Sequence, residues 1–69
     1  METKQEIIRV ADGTRVRVNV QERPDGKTEY VPVHGYEKLC GEVAWMLISL
    51  GNKAMVVIED GRKKIVIAP

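Results

Sequence analysis

Residues 36–51 read YEKLCGEVAWMLISLG. Within them Tyr36, Leu39, Cys40, Val43, Met46, Leu47 and Leu50 recur at spacings of three and four, which predicts an amphipathic helix. Gly51-Asn52 supplies a left-handed stop at its end. The start is weaker: His34-Gly35 is a mediocre cap, although Glu37 suits the positive end of the helix dipole. Gly41, inside the helix, costs on the order of 1 kcal/mol relative to alanine, so something is expected to compensate for it.

On both sides of this helix the pattern changes to β-branched stretches punctuated by Asp12-Gly13, Asp25-Gly26 and Asp60-Gly61. Asp-Gly between such stretches is the strongest short-range hairpin signal. The first hairpin pairs Glu6–Val10 with Thr14–Arg23. A turn over Ala11-Asp12 closed by Gly13 sets Val10 against Thr14 and Ile8 against Val16. That register places Ile8, Val10, Val16 and Val18 on one side, and Ile7, Arg9, Arg15 and Arg17 on the other. A plain two-residue turn would mix arginines with valines.

Pro24-Asp25-Gly26 makes the second turn, with Pro24 pre-setting its first position. The next stretch, Thr28 to Val33, carries Pro32, which cannot donate to a ladder. It reads as an edge strand or one that breaks at Pro32. The last hairpin, Ala54–Glu59 with Lys63–Ala68, is the most apolar. Its near-unbroken runs Met55–Ile58 and Ile65–Ile67 read as strands at the sheet centre. The expected fold is a single α+β domain over residues 1–69, in βββαββ order, with one helix packed on a mostly antiparallel, hairpin-built sheet.

A chain of 69 residues buries only about 60% of the surface its unfolded form exposes. A lone core of this size supplies roughly 3–5 kcal/mol, so a staple or a partner is expected. The single cysteine, Cys40, rules out an intramolecular disulfide and a cysteine-rich zinc site. Self-association is then the expected source of added stability. Eleven basic against ten acidic residues leave +1, no strong electrostatic push toward nucleic acid or anionic membrane. The longest apolar run, Val43–Ile48, is too short to span a bilayer, and polar Met1–Glu6 is not a signal peptide. A cytoplasmic location is expected.

Chemistry-bearing motifs are sparse. His34 and Cys40 are the candidates for a nucleophile–base pair, which needs sulfur and imidazole within hydrogen-bond reach. The competing reading has Cys40 packed as a small hydrophobe on the helix stripe and His34 in water. No phosphate-cradling glycine loop, HExxH or calcium-loop spacing is present. No enzyme, cofactor or metal is expected.

Two features point to binding instead. Arg9, Arg15 and Arg17 share one hairpin face, and Arg62, Lys63 and Lys64 crowd the last strand. Together they would suit phosphates, although strand-face arginines also simply keep sheets soluble and edges unsociable. Glu6, Glu22, Glu29 and Glu59 would dilute such a field. The second feature is Trp45, about 200° around the helix from the centre of the apolar stripe. Gly41, Trp45 and Ile48 form a line on that back face. The expected function is a non-enzymatic interaction module, homodimeric through Gly41, Trp45 and Ile48, that binds a macromolecule. Nucleic-acid binding through the basic residues is the alternative.

Overall fold

The computed structural model describes residues 3–69. Strands β1 (Lys4–Arg9), β2 (Arg15–Glu22) and β3 (Thr28–Pro32) precede a 3-10 turn (Glu37–Leu39) and helix α1 (Cys40–Ser49). Strands β4 (Ala54–Glu59) and β5 (Arg62–Ile67) follow. This is the βββαββ order. All neighbours pair antiparallel in one sheet, ordered β1-β2-β3-β5-β4.

The first hairpin has the register its alternation requires: Ile8 faces Val16 and Ile7 faces Arg17. The Val10 N–H donates to the Thr14 carbonyl, and the Gly13 N–H to that of Val10, each at 2.9 Å. Gly13 has φ +91, a left-handed conformation that L side chains resist. The Arg23–Lys27 turn repeats the design, with its own bonds at 2.7 and 3.1 Å.

Two strands sit elsewhere than the sequence suggests. The stretch from Thr28 lies inside the sheet, between β2 and β5, although it does end at Pro32. Val33 N–H donates to the Arg17 carbonyl, so the alternate residues Tyr30 and Pro32 turn their backbone toward β5. The β5 ladder stops at Tyr30–Ile65. The N–H that Pro32 lacks would therefore point past the end of that ladder. Strand β4, read as central, is instead the far edge; of the last hairpin only β5 is interior.

Cross-strand partners share a face. Ile8, Val16, Val18, Tyr30, Ile65 and Ile67 thus lie on one side, with Val10 at its end. Helix α1 covers them with Cys40, Val43, Ala44 and Leu47. Relative to the expected stripe, Ala44 joins the core, while Met46 is half-buried and Leu50 is exposed. Gly51 ends the helix as read: its N–H donates to Ile48 and that of Asn52 to Leu47, the paired bonds of a Schellman cap. No helix among the described residues is long and apolar enough to cross a membrane.

Candidate functional site

Helix α1 packs against β4 and β5 on one face of the sheet, and its back face stays uncovered. Trp45 on that back face is 65% exposed, with Ile48 and Gly41 exposed beside it. The indole does not fold down to bury itself on the helix flank. A Cβ added at Gly41 would meet nothing within 4 Å, so no close approach within the chain requires a glycine there.

The apolar exposure continues onto β4. Met55 is 66% and Ile58 68% exposed, with Val56 also open. Val56 and Ile58 face the helix side of the sheet and Met55 the other, because they pair with Ile65, Lys63 and Val66 respectively. Among the described residues, most of the exposed large hydrophobics thus fall on α1, its C-terminus and β4, and Ile7 stands apart.

The opposite sheet face carries no helix and is organised by charge. Glu29, only 4% exposed, lies at its middle. Arg23 reaches it at 3.1 Å, Lys64 at 3.6 Å, and the Gln21 amide donates to it at 2.7 Å. Arg23 also grips both carboxylate oxygens of Glu59 at 3.0 Å, and Lys64 lies 3.4 Å from the same group. The Arg23 hydrogen bond holds the Glu59 carboxyl below its ordinary range. Thr3, Asn19, Gln21, Glu29, Val31 and Lys64 line part of a shallow hollow of about 350 Å³ on this face.

The basic residues separate. Arg9, Arg15 and Arg17 share the open face, and Arg62 joins them through its pairing with Glu59. All four are exposed, and none forms an ion pair or side-chain hydrogen bond among the described residues. Lys64 is on the same face but engaged by Glu29 and Glu59. Lys63, opposite Ile58, belongs to the helix side. Of the acids expected to dilute the field, Glu6 and Glu22 pair with Val18 and Thr28 and so lie on the helix side too. Glu29 and Glu59 are taken up by Arg23 and Lys64. The open face presents no aromatic ring, since Tyr30, Tyr36 and Trp45 belong to the helix side.

His34 and Cys40 are not brought together. Cys40 is buried in the core, where burial pushes its thiol up despite nearby Lys63. The His34 side chain is 94% exposed and its Nδ1 lies 3.3 Å from Glu37. Among the described residues no group of His, Cys, Asp and Glu is arranged to hold a metal ion.

Sequence reading missed the Glu29 cluster, whose other members come from β2, the β2–β3 turn, β4 and β5. It also missed the exposure of β4. The Arg/Val alternation and the helical spacing of Gly41, Trp45 and Ile48 were the signals that located surfaces directly. No family model, curated protein or solved structure matches the chain.

Proposed function

We propose that this protein is a non-enzymatic interaction module that self-associates as a homodimer and offers its remaining surface to a macromolecular partner. The observation that carries the reading is the apolar flank formed by Trp45, Ile48, Val56 and Ile58, exposed on the helix side of a chain with a small core. Contiguous apolar exposure of this kind marks interaction surfaces, and buried tryptophans dominate their energetics. A free, buried thiol suits a reducing compartment, and we place the protein in the cytoplasm.

Trp45 fluorescence across a dilution series tests the reading. Emission should be blue-shifted when concentrated and move red on dilution, and Trp45→Ala should weaken association by about 2 kcal/mol or more. Lys38→Ala, on the rim, should change little. Red emission independent of concentration contradicts the proposal.

A second reading is favoured by one observation: Arg9, Arg15, Arg17 and Arg62 share a face with no internal ion-pair partner among the described residues. Such a face suits the phosphate backbone of a nucleic acid. Without aromatic rings it would bind by charge, with no platform for stacking bases.

A further inference from the structure

We propose that the partner on the β4 side is a second copy of this chain, joined strand to strand. In this arrangement β4 pairs antiparallel with β4 of the other copy, in the register centred on Val56. The inference rests on the self-association reading and adds its geometry.

The direction of the backbone groups along β4 follows from both of its ends. Glu59 and Arg62 close a two-residue turn in which Asp60 and Gly61 have φ +53 and +75, and such turns are closed by a hydrogen-bonded pair. At the other end the Ala68 N–H donates to the Lys53 carbonyl at 3.1 Å. Hydrogen-bonded pairs recur at every second residue. Lys53, Met55, Val57 and Glu59 therefore turn their backbone groups inward to β5. Ala54, Val56 and Ile58 turn theirs outward, at the sheet edge.

An open row of donors and acceptors is a template for another strand unless charge or proline guards it. Strand β1, at the other edge, is guarded by Lys4, Glu6 and Arg9. Strand β4 reads AMVVIE and has no charge until Glu59. The segment is also complementary to itself. Centring on Val56 sets small Ala54 opposite large Ile58, Met55 opposite Val57, and Lys53 opposite Glu59. Every outward-facing residue then meets an outward-facing one. A shift by one repeat in either direction leaves Ala54 or Ile58 unpaired.

Paired residues share a face, so both helices lie on the same side of the joined sheet. Strands β3 and β4 run parallel on either side of β5. A crossover between parallel strands of one sheet is right-handed, and that hand turns the Gly41–Ile48 flank of α1 toward β4. From strand spacing, the two helices then stand on the order of 10–15 Å apart across the seam. Ile48 of both copies closes over Val56 and Ile58, Trp45 meets the partner's helix above it, and Gly41 leaves room for the approach. The seam gives the helix glycine a purpose that the isolated chain does not.

Amide hydrogen exchange of the wild-type chain at high and low concentration tests the register, together with isotope-filtered NOEs in a mixture of labelled and unlabelled chains. The amides of Ala54, Val56 and Ile58 should gain protection by at least about tenfold on concentration. Those of Met55, Val57 and Glu59 should be protected throughout. An intermolecular Hα–Hα NOE should join Met55 to Val57, the non-hydrogen-bonded pair of the seam. A dimer in which Ala54, Val56 and Ile58 exchange freely overturns the strand pairing and leaves self-association standing. A chain that stays monomeric overturns both.

Discussion

Arg23 spans the open face of the sheet to hold Glu59 with both terminal nitrogens, each at 3.0 Å, although 36 residues separate the two. One of those nitrogens also donates to Glu29 at 3.1 Å. The same side chain thus ties the β2–β3 turn to β4 and neutralises the acid at the middle of the face. Its planar fork permits this double grip, which an ammonium could not reproduce.

Removing the buried acid is expected to matter more than removing an exposed one. Glu29→Ala strips the Gln21 amide of its acceptor and leaves Arg23 and Lys64 with Glu59 as their one shared acid, and should lower stability by about 1–3 kcal/mol in urea unfolding. Arg23→Lys should also lower the midpoint, because one nitrogen replaces a fork. Glu6→Ala, on an exposed edge position, should be close to neutral.

Stability should decline on the acid side. Asp12 and Asp25 lie below their ordinary 3.8, held down chiefly by the Thr14 hydroxyl and the Lys27 N–H. Glu37 and Glu59 lie below 4.5, through backbone N–H groups and through Arg23 respectively. The unfolded chain therefore binds more protons as pH falls past these ordinary values. The contribution is full above 4.5 and disappears as pH drops through the lowered folded values. Thermal melts between pH 7 and pH 2 should show this loss, and Arg23→Gln should reduce the part due to Glu59.

The alkaline limb has the opposite origin. Burial raises Cys40 above 9.0 and Tyr30 above 10.0. Stability is full below these ordinary values and falls as pH rises toward the raised folded ones. Cys40→Ala should remove the earlier part of that fall, read as a flatter profile between pH 8 and pH 10.

The interior should respond steeply. Ile65→Ala truncates one of the largest fully buried side chains and should cost about 2–5 kcal/mol, enough to unfold much of so small a domain. Gly51→Ala forces a Cβ onto φ +95 at the helix stop and should cost about 1 kcal/mol. Both changes are read from denaturant midpoints.

If the arginine face binds nucleic acid, log affinity for duplex DNA should fall with log salt by about 0.9 per phosphate neutralised. Arg15→Gln with Arg17→Gln should reduce that slope by about two contacts. Lys63→Gln, on the opposite side of the sheet, should leave it unchanged. Weak binding indifferent to the double change contradicts this reading.

The first hairpin was legible in the sequence because its turn chemistry and its Arg/Val alternation agree on one register. The helix was legible too, but the centre of its buried side was not, since small Ala44 carries little pattern yet faces the sheet. The position of β4 was misread for a physical reason. An unbroken run such as Met55–Ile58 is written alike for a strand covered on both sides and for an edge strand whose apolar residues stay exposed. The Glu29 cluster left no local trace because its members come together only after the strands do. Of the residues proposed for the apolar surface, Gly41, Trp45 and Ile48 were named by helical spacing alone. Val56 and Ile58 needed the strand order.

Sedimentation velocity of the wild type beside Val56→Pro, over a hundredfold range of concentration, decides whether β4 joins two copies of the chain. Proline at 56 removes an N–H that points away from β5, so the monomer fold and its far-UV spectrum should be retained. The wild type should pass from one to two chain masses as concentration rises, while Val56→Pro should remain monomeric throughout. A monomeric wild type, or a folded Val56→Pro that dimerises as tightly as wild type, would rule out a dimer joined through β4.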